Sequence, residues 1–267
     1  MTERVEPLIS IEKARKLFRS RSGQETEAIA EISLAIPEQQ FLGVIGPSGC
    51  GKSTLLRLIA GLEKLSSGRL RIGSADVHGA RRDIGLVFQT PVLLPWRTVL
   101  KNVLVPAEVL KLDKRVAKRR AHELLDLVGL HGFADRYPNE LSGGMRQRVA
   151  IARALMHDPK ILLMDEPFGA LDALTRETMN LELLRIWQAS SKTVVLVTHS
   201  IEEALLLSDR IAVFSPRPGR LRDIVEVRLP RPRSAKTRTD PIFISLGEKL
   251  RGYFEAMSAE ASEAVAS

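Results

Sequence analysis

Three features of this 267-residue sequence predict an α/β fold arranged around a phosphate-binding turn. The first is Gly46-Pro47-Ser48-Gly49-Cys50-Gly51-Lys52-Ser53-Thr54, which fits G-x-x-x-x-G-K-[ST], the P-loop pattern. The second is its setting. An apolar run, Phe41 to Ile45, precedes the turn as a buried strand. A helical segment, Leu55 to Ala60, follows and is stopped by Gly61. The third is the rest of the chain, where short apolar, often β-branched runs alternate with helical stretches.

The turn suits phosphate for stated reasons. Glycines let the backbone curl so that successive N–H groups point at phosphate oxygens. The helix that follows adds the positive end of its dipole. Lys52 would reach the β- and γ-phosphates, and the Ser53 hydroxyl would ligate Mg²⁺. The plainer alternative, a Gly-rich surface turn, does not explain a strand on one side and a helix on the other.

Composition bounds the classes. Hydrophobic content of 44% and charged content of 27% are ordinary for a soluble globular protein. The length allows one large domain or two small ones. No apolar run reaches the length of a membrane span, and Met1 to Glu6 lack the apolar core of a signal peptide. The single cysteine, Cys50, cannot form an internal disulfide, which suits a reducing cytoplasm. Its simplest role is a small residue filling a loop position, with a reactive thiol beside Lys52 as the alternative. The net charge of +8 is uneven. Arg217 to Asp240 hold eight Arg or Lys against three Asp or Glu, so this segment alone contributes +5. No aromatic residues interleave with it, which argues against a single-strand nucleic-acid surface. A solvated or membrane-facing edge is expected there.

Taken in order, residues 7–42 read as strand-rich. Leu8 to Ile11 and Ile29 to Ile36 are strands, divided by a polar stretch, Arg19 to Glu27, that reads as a hairpin loop. Phe18 stands before that loop, either as a core residue or as a platform for a nucleotide base. Arg69 to Ile72 and Ile84 to Phe88 read as strands, and Gln89 follows the second directly. From Pro91 to about Leu130 the pattern turns helical, with Val116, Ala121, Leu124, Leu125 and Val128 on one face and basic residues between them. Leu141-Ser142-Gly143-Gly144 then opens a helix reaching Met156, and its N-terminus makes a second anion site. Ile161 to Met164 deliver Asp165 and Glu166 at a strand end. Asp165 is placed to help hold Mg²⁺. Adjacent strand residues point to opposite faces, so a turn after Asp165 is needed for Glu166 to face the phosphates. Thr193 to Val197 is a further strand ending at Thr198-His199, pinned by a capping box, Ser200 to Glu203, at the start of the next helix. Ile211 to Phe214 is another strand, residues 230–240 read as irregular, and residues 242–265 as a C-terminal helix. No internal repeat is found.

This ordered set resembles the ATP-binding cassette (ABC) ATPases over about residues 7–222. The residues that carry the resemblance are Gly46 to Ser53, Gln89, Leu141-Ser142-Gly143-Gly144, Asp165-Glu166, Leu171-Asp172 and His199. Met145 departs from the commonest signature, which has Gln there. Val87 to Val99, Phe168 to Arg176 and Ser215 to Arg220 narrow the resemblance to nitrate/sulfonate/taurine-type importer ATPases, with pyrimidine-precursor importers similar.

The resemblance implies a RecA-like P-loop NTPase core carrying an N-terminal antiparallel β subdomain. A helical subdomain, about residues 91–158, is inserted in it, and residues 223–267 form a short basic extension. It implies ATP and Mg²⁺ as cofactors. Ser53, Gln89 and Asp165 would serve the metal. Glu166 would be the base or water-positioning carboxylate, His199 a γ-phosphate contact, and Gln89 a sensor of Mg²⁺ and water. Phe18 would be the base platform, and Asp172 would couple two sites. Two copies would pair head to tail, with the P-loop of one facing Ser142-Gly143-Gly144 of the other. This implies a homodimer on the cytoplasmic face of the inner membrane. Its partners would be integral permease subunits, contacted near residues 89–102, and indirectly an extracytoplasmic solute-binding protein. No nucleic acid is expected. The alternative, a soluble ABC ATPase acting on DNA or ribosomes, usually needs a coiled-coil arm or two cassettes. Only 88 residues, 53–140, separate Lys52 from Leu141, too few for such an arm.

Overall fold

The structure is a computed structural model describing residues 6–20, 22–169, 171–190 and 192–266. Met1 to Val5 and Ala170, which belong to stretches read above, lie outside the described residues. The strands are β1 (Ile9–Arg19), β2 (Glu25–Ile36), β3 (Phe41–Ile45), β4 (Ser67–Ile72), β5 (Ala75–Asp76), β6 (Ile84–Val87), β7 (Ile161–Asp165), β8 (Thr193–Val197), β9 (Arg210–Phe214) and β10 (Leu221–Glu226). The helices are α1 (Lys52–Ile59), α2 (Val99–Val103), α3 (Val105–Val109), α4 (Lys114–Leu127), α5 (Gly143–Leu155), α6 (Ala173–Ser190), α7 (Ile201–Leu207) and α8 (Pro241–Ala266). The chain divides into two compact units, one running to Arg81 and resuming at Thr193, the other spanning Arg82–Lys192.

In the first unit, β1, β2, β4 and β5 make an antiparallel sheet in the order β2-β1-β4-β5. The hairpin loop is shorter than expected. Pairing continues out to Arg19 opposite Glu25 and Leu17 opposite Glu27. The polar residues pair because they carry opposite charges across the strands: Arg19 meets Glu25 at 2.6 Å, and Arg15 meets Glu27 at 2.7 Å. Phe18 therefore lies within β1.

The same unit holds the strand that feeds the P-loop. All five residues of β3 are buried, with β8 and β9 parallel to it on either side. Strands buried on both faces need continuous apolar runs, which is how these three read. β10 adds antiparallel to β9. The expected boundary at residue 222 thus falls inside a strand. The segment beyond it folds into this unit, burying Val225, Val227, Leu229, Leu250 and Met257, and α8 packs on α7. Residues 230–240 are mostly irregular but hold a 3₁₀ turn at Ala235–Thr239. The expectation of a solvated edge fails at Arg231 and Arg233, of which Arg233 is only 5% exposed. Both guanidiniums have acceptors supplied by distant segments.

In the second unit, β6 and β7 run parallel, Val87 opposite Met164. The elements α2 to α5 lie between them in sequence, within the span expected to be helical. Asn102 is fully buried and fastens residues 94–98, accepting from the Leu94 amide at 2.8 Å and donating to the carbonyls of Leu94, Arg97 and Thr98. Helix α4 is capped by Asp113, whose carboxylate accepts from the Val116 amide at 2.9 Å. It buries Ala117, Ala121, Leu124 and Leu125. Of the expected apolar face, Ala121, Leu124, Leu125 and Val128 are buried, but Val116 is 49% exposed and Ala117, about 100° further around the helix, takes its place. Among the described residues no helix is long and apolar enough to cross a membrane.

Candidate active site

The P-loop leaves the C-terminal end of β3 and enters α1. Gly51 caps the helix at φ 98°, and no side chain caps it, so the first N–H groups of α1 are left to the turn and whatever it holds. Only glycine adopts this conformation without strain. A side chain at Gly51 would also meet the Ala28 carbonyl oxygen at 2.6 Å. Gly49, at φ 75°, faces open space. The Lys52 ammonium folds back over the loop, donating to the carbonyls of Gly46 and Pro47, each at 2.8 Å. A cradle of backbone N–H groups, a cation beside it and the Ser53 hydroxyl are a donor set that fits a polyphosphate with its metal. Cys50 is fully buried, and burial pushes its thiol pKa up. It fills the loop and is not poised as a thiolate.

His199 stands beside this turn. β8 lies parallel to β3 with Val197 opposite Val44, and the Thr198 amide donates to the Val44 carbonyl at 3.1 Å. His199 is exposed at the end of β8. Ser200 caps α7, accepting from the Glu203 amide at 3.2 Å, which is the Ser200 half of the expected capping box. Phe18 is half-buried on β1, and the Lys16 ammonium sits 4.6 Å from the ring centroid.

The carboxylates belong to the second unit. Asp165 is the last residue of β7, and Glu166 follows at φ 44°, a left-handed conformation uncommon for a non-glycine residue. This is the turn needed for Glu166 to leave the alternation of the strand. Gln89 lies just past the end of β6, and its amide Nε2 donates to Glu166 Oε2 at 3.3 Å. Gly169 lies against the pair, with space for a Cβ in ordinary contact. A side chain there would lie 3.6 Å from that carboxylate oxygen and 3.7 Å from the Gln89 nitrogen. The Gln89 loop is held from behind by residues that sequence reading missed. Arg153 donates to the carbonyls of Pro91 and Val92 at 2.8 Å, and Gln147 to that of Phe88 at 3.2 Å. Their signal is invisible in periodicity, because the acceptors are backbone atoms about 60 residues away in sequence.

Ser142 caps α5, its hydroxyl accepting from the Met145 amide at 3.3 Å. Ser142 and Gly143 are exposed, whereas Gly144 is buried against Thr175, whose Cγ2 would lie 3.0 Å from an added Cβ. Asp172 accepts from the Thr175 amide at 3.0 Å, and that backbone bond holds its carboxyl below the usual range. The structure therefore brings together the P-loop and His199 in one unit. In the other it brings together Gln89 and Glu166, and separately the signature with the segment after Asp172.

The ABC transporter family matches residues 29–169. A taurine import ATP-binding protein of Rhizobium johnstonii is 46% identical over 250 residues, covering 91% of this chain and 95% of that protein. An aliphatic sulfonates import ATP-binding protein of Bacillus licheniformis is 43% identical over 247 residues, covering 92% of this chain and 94% of that protein. Among solved structures, a dimeric post-hydrolysis state of an ATP-binding cassette bound to ADP and Pi superposes with a TM-score of 0.73. It is 35% identical and covers 82% of this chain and 99% of that one. The fold is that of a P-loop NTPase of the ATP-binding cassette class. The chain belongs to the ABC transporter family and is an ATP-binding ATPase whose hydrolysis is coupled to transport.

Proposed function

We propose that this chain is the ATP-hydrolysing subunit of an importer for a small anionic or zwitterionic solute of the taurine, sulfonate or nitrate kind, with pyrimidine precursors also in range. It works as a homodimer on the cytoplasmic face of the inner membrane, bound to permease subunits and served by an external solute-binding protein. The relatives' import names support this reading over a soluble ATPase acting on DNA or ribosomes.

The observation that carries the chemistry is the Glu166–Gln89 pair, a carboxylate turned out of its strand and oriented by an amide at 3.3 Å. Glu166 takes or orients the proton of the attacking water. Gln89 holds that carboxylate and senses water and metal. Ser53, Gln89 and Asp165 would each offer an oxygen to Mg²⁺, which when bound would neutralise charge on the phosphates. Gly46 to Thr54 bind the phosphates, Lys52 supplies the compensating charge, and His199 contacts the γ-phosphate. Phe18 offers its ring to the base. Ser142, Gly143 and Gly144 of one copy close over the P-loop of the other, and Asp172 couples the two sites.

Glu166→Gln tests the reading. It should retain ATP binding, lower turnover by about 10²–10⁴-fold and accumulate an ATP-bound dimer by gel filtration. Turnover near that of the parent removes Glu166 from this role. A ligand screen on the cognate binding protein, followed by uptake in proteoliposomes, identifies the solute.

A further inference from the structure

No motif absorbs the basic stretch after Arg217, yet two of its cations converge on one place. Helix α7 ends at Leu207, so its last four carbonyls lack partners further along the helix. The Ser208 amide donates to the Ala204 carbonyl at 2.9 Å. Arg233 Nη1 donates to the carbonyls of Leu205 at 3.1 Å and Leu206 at 3.2 Å, and Arg231 Nη2 to that of Leu207 at 2.8 Å. Arg233 also reaches the carbonyls of Ser208, Val227 and Leu229 at 2.7, 3.2 and 3.3 Å. Two guanidiniums at this end also complement the helix dipole.

A second arm reaches β3. Arg231 donates through Nε and Nη2 to Asp209 Oδ1 at 3.0 and 2.7 Å. The other oxygen of Asp209 accepts from the Phe41 amide at 2.9 Å, and the Asp209 amide donates to the Phe41 carbonyl at 2.8 Å. Phe41 opens β3, whose other end is the P-loop. α7 starts two residues after His199. The two elements that carry nucleotide-site groups at one end are thus tied together at the other.

We propose that Arg231 and Arg233 are positioning residues for ATP hydrolysis: Arg231 ties the end of α7 to β3 through Asp209, Arg233 ties the same end to residues 227–229, and together they fix His199 relative to the P-loop. This rests on the reading that His199 acts at the γ-phosphate. Neither arginine reaches the site; each acts through an element too short to bend. β3 has five residues, all buried, and α7 is a helix of seven, about 10 Å long. A shift at the clamped end is carried to the other end. Lysine cannot replace Arg233, because a single ammonium with three donors does not span five carbonyls.

The test is a double-mutant cycle on the full chain, with steady-state ATPase kinetics and a thermal melt for each variant. Arg233→Lys should lower kcat about tenfold, less than the ~10²-fold that a 1 Å misplacement costs, with KM for ATP within about twofold. Arg231→Gln should move kcat the same way, and it carries the cycle if Arg233→Lys does not fold. On a His199→Ala background neither change should lower kcat further. Equal losses on both backgrounds overturn the inference, because the arginines then act on the fold at large. Unchanged kcat in both arginine variants overturns it too. Parent-like turnover in His199→Ala alone refutes the reading of His199 itself, and the inference with it. A slow His199→Ala with additive losses refutes only the clamp.

Discussion

Gly219 is the least obvious residue on which the P-loop depends, and replacing it with alanine makes a sharp prediction. Its amide donates to the Ala28 carbonyl at 3.1 Å, and its carbonyl accepts from the Ala30 amide at 3.0 Å. It is thereby stapled along β2. A Cβ on Gly219 would sit 1.9 Å from the Cys50 carbonyl oxygen, where ordinary contact begins at 3.4 Å. One backbone must retreat by about 1.5 Å, the difference between those distances. Gly219 is bonded on both sides, so the P-loop between Gly49 and Gly51 is the partner that moves. A misplacement of about 1 Å costs a catalytic site on the order of 10²-fold. Gly219→Ala should therefore lower kcat/KM for ATP about a hundredfold, or about 2.7 kcal/mol of transition-state stabilisation. Overpacking of this kind also costs about 1–3 kcal/mol of stability. The assays are steady-state hydrolysis over a range of ATP concentrations, binding of a fluorescent nucleotide and a thermal melt. Gly252→Ala is the control, since a Cβ there meets nothing within 4 Å, and its activity should stay at the parent value. Parent-like kcat/KM in Gly219→Ala refutes the claim that Gly219 shapes the P-loop.

Two further outcomes are expected. Ser142→Arg places a long cation at the exposed N-terminus of α5. It should abolish hydrolysis in the homodimer, while a mixed dimer with parent chains keeps one site built from unmutated motifs; unchanged ATPase in the mutant homodimer argues against the head-to-tail sandwich. Asp223, on β10, accepts from the Tyr253 hydroxyl of α8 at 2.5 Å, and that bond, ahead of Lys249, holds its carboxyl below the usual 3.8. A carboxyl with a lowered folded-state pKa adds stability that is fully present above its unfolded pKa and is lost as pH falls through the folded value. Asp223→Asn should therefore lower the melting temperature at pH 7, and the gap from the parent should close on acidification below about 4. A gap that stays constant across that range removes Asp223 from the docking of α8.

The local geometry of the candidate site was legible because its signals are local. A P-loop needs glycines at φ values that other residues avoid, and Gly49 and Gly51 adopt them at 75° and 98°. The strand ending at Asp165 and the cap at Ser142 are likewise written in contiguous residues. Other features were misread where a pattern has two outcomes. The charges of Arg19 to Glu27 suggested a loop, yet opposite charges facing across a hairpin extend it. Val116 joined an apolar period by type but lies off its stripe.

The amino-acid sequence alone thus determined the α/β class, the glycine turn into α1, the strand ending at Asp165 and the helix start at Ser142, because each is set by backbone conformation and side-chain chemistry within a few neighbouring residues. Only the tertiary structure decided that Gly219 lies against Cys50, that Arg153 and Gln147 fasten the Gln89 loop, and that Arg233 is buried and Arg231 half-buried. An arginine is buried only when enough acceptors surround it. Those around Arg233 come from residues 205–208 and 227–229, and chain folding alone brings them together.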